Sequence, residues 1–194
     1  CTSGYTWNGT SCSAVAVLGQ CTGYAKNCAV GQILNSDGTC TTDKVSGKTP
    51  IGVVVYISDG SDKCGYAMTA SPIQTNIKWS TKYVNTGAFQ SSNWQDAIND
   101  FDVSGNMTKI IQASGGDSSK YPAVYAALNY APSATPASKG KWVLPTAGIL
   151  NSLYVNLNAV NDAISKVGGT QLIGNDEHIW SSSEYSTYNV WLFC

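Results

Sequence analysis

An α+β domain preceded by a small disulfide-stapled segment is what the sequence predicts, on three observations. Five of the seven cysteines fall within the first 40 of 194 residues. Strand-type runs stand at both ends of the remainder. Amphipathic helical stretches fill the middle, an order of elements that suits an α+β layer architecture.

The cysteine cluster comes first in the chain. It contains no Cys-x-x-Cys, and His178, the sole histidine, is remote in sequence, so structural zinc is not indicated and disulfides in an oxidising compartment are. The cluster also holds an approximate duplication. Cys1-Thr-Ser-Gly4-Tyr-Thr-Trp-Asn8-Gly9-Thr-Ser-Cys12 matches Cys28-Ala-Val-Gly31-Gln-Ile-Leu-Asn35-Ser-Asp-Gly38-Thr-Cys40. Each copy sets a cysteine at either end of a loop turned by Asn/Asp-Gly, which predicts local pairs Cys1–Cys12 and Cys28–Cys40. Cys21, Cys64 and Cys194 remain; Cys64–Cys194 and Cys21–Cys64 are the rival third bridges. A chain opening at Cys1 reads as a processed form, with lipidation of that cysteine as the alternative to its pairing. The leader covers residues 1–45, and residues 46–194 form the main domain, entered through a polar linker over Thr41 to Pro50.

The main domain opens on Ile51-Gly-Val-Val-Val-Tyr-Ile57, an apolar β-branched run that predicts a buried strand. Asp59-Gly60 turns the chain, and Cys64 to Ala70 reads as the next strand. Ser92 to Phe101 carries Trp94, Ala97, Ile98 and Phe101 at helical spacing. Met107 to Ala113 predicts a short helix stopped at Gly115-Gly116. A further helix spans Tyr121 to Tyr130, with Pro122 early in it. Ser133 to Lys141 reads as a loop. Leu144-Pro145 opens a helix carrying Ile149, Leu150 and Leu153, and another carries Ala159 to Val167 and ends at Gly168-Gly169. Ile179 to Tyr185 and Tyr188 to Cys194 are β-type and separated by a polar turn.

Composition narrows the function. Charged residues are 12% of the chain, about half the usual share, so the polar surface consists of Ser, Thr, Asn, Gly and Tyr. Net charge is -1, and the 11 basic residues are all lysine. A nucleic-acid binder needs a basic stripe and arginine forks, which this chain lacks. No apolar run reaches the ~18 to 20 residues that span a bilayer.

In order along the chain stand Gly52-Val-Val-Val-Tyr56, Lys78-Trp79-Ser80, Asp102-x-x-Gly105-Asn106-x-Thr108, Trp142-x-Leu144-Pro145-Thr146-x-Gly148, Leu153-Tyr154 and Trp180-Ser181-Ser182-Ser183-Glu184-Tyr185-Ser186-x-x-Asn189-x-Trp191. Together they resemble the C-terminal domain family of the Legionella collagen-like adhesin, from about Ile51 to the end. The resemblance implies a C-type-lectin-like fold and a secreted or surface-displayed recognition module. Two departures accompany it. Gly148-Ile149-Leu150 stands where relatives carry Gly-Glu-Leu, so any role of that carboxylate is absent. The relatives also continue beyond the strand of Trp191, which leaves open a clipped chain or a variant whose terminal disulfide replaces the missing strands.

Catalytic readings find little support. His178 neighbours Asp176, Glu177 and a serine run, but residues so close on an extended strand point to opposite faces rather than into one relay. No Gly-x-Ser-x-Gly elbow is present. Glu177 and Glu184, the only glutamates, read as a loop acid and a cap or turn acid rather than a glycosidase pair. Gly115 to Lys120 lacks the order of a phosphate loop. Asp100-x-Asp102-x-Ser104-Gly105 resembles the start of a calcium loop, yet Ile111 occupies the position of the bidentate acid, so it reads as an Asx turn before the next helix.

The tryptophans Trp79, Trp142, Trp180 and Trp191 read as core anchors. Tyr185 and Tyr188 flank a Ser-Thr turn and read as exposed. Tyrosine beside Ser, Thr and Asn gives rigid contact area with adaptable hydrogen bonding, as in paratopes. The expected ligand-binding residues are Glu184, Tyr185, Thr187, Tyr188 and Asn189, with no catalytic residue, metal or cofactor. The sequence therefore predicts a non-catalytic extracellular or cell-surface module that recognises a glycan or protein. The alternative is a self-assembling subunit of a pilus or surface fibre.

Overall fold

A computed structural model describes residues 28–58, 65–172 and 178–193, together with the backbone of two short strands, β1 (Cys12–Ala14) and β2 (Val17–Gly19). The architecture is α+β. The β3 strand (Ile33–Asn35) and β4 (Cys40–Thr41) form a hairpin, and β3 pairs on its other side with β5 (Pro50–Ile57). The chain returns as β6 (Gly65–Met68) and β7 (Gln74–Ile77). Helices then follow: α1 (Trp94–Ala97), α2 (Val103–Ser114) and α3 (Pro122–Asn129). A two-residue strand, β8 (Trp142–Val143), leads into α4 (Ala147–Val155) and α5 (Leu157–Lys166). The hairpin of β9 (Ile179–Ser186) and β10 (Asn189–Phe193) comes last.

Two sheets result. One has six strands in the order β4-β3-β5-β6-β2-β8, and the other has four in the order β10-β9-β1-β7. Pairing is antiparallel except between β1 and β9. Strands from before residue 45 (β2, β3, β4) and after it (β5, β6, β8) share the six-stranded sheet.

The strand β5 shows why the core forms where it does. Ile51 through Val55 are all buried, as a β-branched run covered on both faces should be. Ser152 of α4 donates to the Val55 carbonyl at 2.8 Å, which fastens the helical layer to the sheet. Gly148, also on α4, allows the closest approach in the interior. Its N–H donates to the Asp100 carbonyl at 3.1 Å, and a Cβ there would collide with the backbone oxygens of Asp100 and Ile98.

Three helices follow their sequence signals. Thr146 caps α4 by accepting from the Ile149 N–H at 3.4 Å. Pro122 occupies the first turn of α3. The last turn before Gly168, whose φ is 76°, closes α5.

The stretch Ser92 to Phe101 departs from expectation. Only Trp94–Ala97 is helical, and of its four apolar residues Ala97 alone is buried, while Trp94 and Phe101 are 37% and 38% exposed. The cause lies downstream. Asp102 turns its side chain onto the Gly105 N–H at 2.9 Å and starts α2 there, four residues before Met107. Asp100 points into the interior, so the chain has to turn between the two helices.

The hairpin between Cys28 and Cys40 closes as the spacing of those two cysteines predicts. Cys28 and Cys40 are bonded, with Cα atoms 5.5 Å apart. Gly38 takes φ 82° in the turn, and Asp37 accepts from the Thr39 N–H at 3.0 Å. The expected bonds of Cys1, Cys12, Cys64 and Cys194, like Cys21, lie outside the described residues.

Replacing Cys28 and Cys40 together by serine is expected to destabilise the protein by ~2 to 4 kcal/mol through the opened 12-residue loop. Denaturant unfolding of the double variant against wild type measures it.

Candidate functional site

The site is built on β9. Its first six residues, Ile179 to Glu184, are all buried, although four of them are polar. The three serine hydroxyls are each matched to a partner. Ser183 Oγ donates to Asp100 Oδ2 at 2.6 Å and accepts from the Ala147 N–H at 2.8 Å. Asn106 Nδ2 donates to the same Asp100 oxygen at 2.7 Å, while Asn106 Oδ1 accepts from the Phe89 N–H at 2.7 Å. Ser182 donates from N–H and Oγ to the Pro145 carbonyl, at 2.7 and 3.2 Å. The hydroxyls of Ser181, Ser182 and Ser183 are all engaged with structural acceptors. His178 stands half-buried just ahead of β9; Asp176 and Glu177 lie outside the described residues.

The segment 86–91 is laid along the same strand. The Glu184 N–H donates to the Phe89 carbonyl at 2.7 Å, and the Ser91 N–H donates to the Glu184 carbonyl at 3.1 Å. Tryptophans complete the frame. Trp79 Nε1 donates to the Ser181 carbonyl at 2.8 Å, Trp180 Nε1 to Ile77 at 2.9 Å and Trp191 Nε1 to Ser91 at 2.9 Å. Trp142 and Trp180 are buried and Trp79 and Trp191 half-buried, so all four serve as anchors.

Beside this frame opens a cavity of about 560 Å³. Trp180 and Glu184, which share one face of β9 by strand alternation, line it together with Ser186. One wall is the segment 78–83, with Lys78, Trp79, Lys82 and Tyr83. The other is the β9–β10 turn, with Thr187, Tyr188 and Asn189. At the rim Tyr83 and Tyr188 are 73% and 69% exposed, their ring centroids 6.1 Å apart.

Glu184 is the unusual group. It is 1% exposed, mid-strand, and not the cap or turn acid that its sequence neighbourhood suggests. Its Oε1 accepts from Thr86 Oγ1 at 2.8 Å and from the Thr86 N–H at 3.3 Å. Its Oε2 is buried and has no hydrogen-bond partner among the described residues. Burial pushes the Glu184 carboxyl above the ordinary carboxylate range, and the two Thr86 bonds offset this only in part. Burial, and after it the nearby Glu184 charge, raises the Tyr121 phenol.

Of the expected binding residues, Glu184, Thr187, Tyr188 and Asn189 converge on the cavity. Tyr185 does not belong with them. As the next residue after Glu184 it faces the other side of β9, edge-on to Trp191 at 5.1 Å, and Trp94 covers Trp191 from 5.3 Å. Sequence reasoning singled out Lys78-Trp79-Ser80 for the resemblance and Trp79 as an anchor, but did not assign the 78–83 wall to the site. Only the fold brings it to β9, and Lys82-Tyr83 within a polar loop carries no local signal. The depth of Glu184 was readable, because it stands four residues after Trp180 in a strand, hence on the face of a buried indole. Among the described residues no cluster of three or more His, Cys, Asp or Glu could hold a metal. Asp100 and Asp102 are instead occupied by Ser183 and Asn106 and by the α2 cap.

No family model matches this chain, and comparison with curated proteins and with solved structures gives no significant match. The fold and the site define a class: an α+β protein with an open cavity walled by aromatic and polar side chains, with a buried acid in its lining.

Ser183→Ala is expected to cost ~2 to 4 kcal/mol in thermal unfolding, because the Ala147 N–H loses its partner and one hydrogen bond to Asp100 is lost in the interior. The raised Glu184 carboxyl also gives a pH signature. Its folded-state value lies above the unfolded one, so its contribution to stability is fully present below about 4.5 and is lost as pH rises through the raised value. Glu184→Gln should flatten the pH dependence of the melting temperature over that window and leave the rest of the profile in place.

Proposed function

We propose that this protein is a non-catalytic extracellular recognition module that holds a saccharide in the cavity beside β9. The observation that carries the reading is the cavity itself. Its volume of about 560 Å³ falls among small-ligand sites, and aromatic walls with a few convergent polar groups are the usual composition of such sites. A flat protein epitope would use little of this concavity. The rim rings of Tyr83 and Tyr188 offer apolar faces to the C–H face of a sugar, and Ser186, Thr187 and Asn189 stand within the same lining to meet hydroxyls.

The hydrogen-bonded frame supports the same reading, since binding groups set on strands and locked by buried partners are preorganised. Support for a non-catalytic role comes from the carboxylates. Glu184 is the only one among the described lining residues, whereas glycoside hydrolysis by either common route uses a pair. On this proposal the α+β scaffold is C-type-lectin-like, as the sequence resemblance implies. The Cys28–Cys40 bridge and the low charge favour placement outside the cell.

Tyr83→Ala combined with Tyr188→Ala is expected to weaken binding of a saccharide identified on a glycan array by about tenfold or more. The melting temperature should change little, since both rings are mostly exposed. Titration calorimetry and a thermal melt of the same variant check the two halves. Binding that is as tight in the variant as in wild type removes the cavity from the function.

A further inference from the structure

Resting on the saccharide reading, we infer that Glu184 is the specificity-determining residue of the cavity and that its Oε2 accepts a hydrogen bond from one particular hydroxyl of the sugar. The starting point is an imbalance within a single side chain. Both donors of Thr86 converge on Oε1, and Oε2, though buried, meets no donor among the described residues. A buried acceptor without a partner is costly. The side chain nevertheless projects from the face of β9 whose neighbours Trp180 and Ser186 line the cavity. The missing donor is one that an occupant supplies.

The chemistry of that donor follows from what surrounds the carboxyl. Lys78 and Lys82 line the same cavity from the 78–83 segment, and among the described residues neither takes part in an ion pair. Two ammonium groups on one wall disfavour a cationic occupant, so an ammonium donor is the poorer match for Oε2 and a neutral hydroxyl the better one. Tyr121 also couples to Glu184, and burial, followed by that charge, raises its phenol.

The orientation of the acceptor is also set in advance. The Ala88 N–H donates to Thr86 Oγ1 at 3.1 Å, so the hydroxyl proton of Thr86 is directed to Glu184 Oε1. The Thr86 N–H can only donate. Two donors therefore fix Oε1 as an acceptor, and in Glu184→Gln the amide oxygen has to take that place. The amide NH2 then occupies the position of Oε2. This substitution keeps size and the Thr86 contacts but reverses the polarity of the one atom offered to the sugar.

The test uses the methyl glycosides of glucose, galactose, mannose and N-acetylglucosamine, with binding followed through the indole N–H resonances of Trp79 and Trp180. The tightest of these is then replaced by its monodeoxy analogues, one hydroxyl at a time. On wild type, one deoxy analogue is expected to bind about tenfold to a hundredfold more weakly than the parent sugar. Glu184→Gln is expected to bind the parent sugar more weakly by a similar factor and to lose its discrimination against that same analogue. A merely structural role would lower affinity for all the sugars alike and leave the discrimination intact. Wild-type binding in which no hydroxyl matters overturns the inference without any variant, as does a Glu184→Gln protein that binds and discriminates like wild type; the saccharide reading survives both. Failure of wild type to bind any of these glycosides overturns the saccharide reading and the inference together.

Discussion

Ser183 and Asp100 meet at 2.6 Å in the interior, and the geometry of the site half of the molecule depends on that contact. The Asp100 carboxyl gathers Ser183 from β9, Asn106 from α2 and the N–H of Asp102. Through Ser183 it reaches the start of α4, and through Asn106 it reaches Phe89. Four segments distant in sequence are thus tied to one buried group. A hydroxyl, an amide and a carboxyl are directional, so they specify the register of these segments in a way that apolar packing alone would not. The absence of a side chain at Gly148 belongs to the same arrangement, since α4 approaches the Asp100 backbone too closely to admit a Cβ.

The indoles provide the second constraint. Each of the four discussed above donates its N–H to a fixed acceptor, and three of those acceptors are backbone carbonyls. A tryptophan anchored in this way is a large rigid filler with one defined orientation. Trp79 holds the 78–83 segment against β9, so one wall of the cavity is carried by the same bond that closes the core. The aromatic rim of Tyr83 and Tyr188 stands on that frame rather than within it. This explains how a surface with few charges can be at once well ordered beneath and polar at the contact layer.

Local chemistry made much of the fold legible. The β-branched run of β5, the Asn/Asp-Gly turns, Pro122 at the start of α3 and Gly168 after α5 each act within a few residues of themselves. The Cys28–Cys40 bridge closes a loop that its own turn has already formed. The failures were equally physical. Ser92 to Phe101 has helical spacing, but the demand that Asp100 reach Ser183 outweighs an amphipathic pattern spread over ten residues. The strands β2, β7 and β8 are too short to show a period, and they exist because neighbours offer them hydrogen bonds.

From the sequence by itself came the α+β class, the cystine hairpin, the tryptophan anchors and the segment on which the candidate site lies. All of these depend on spacing, turn geometry or side-chain type, which are properties of the chain read in order. Only the tertiary structure decided which side chains face one another. It brought the 78–83 segment to the β9–β10 turn, sent Tyr185 to the far face of the strand and left one oxygen of Glu184 buried without a partner among the described residues. A one-residue step along a strand reverses the direction of a side chain, and contacts across a hundred residues leave no periodicity behind. The walls of a cavity are therefore settled by packing and not by pattern.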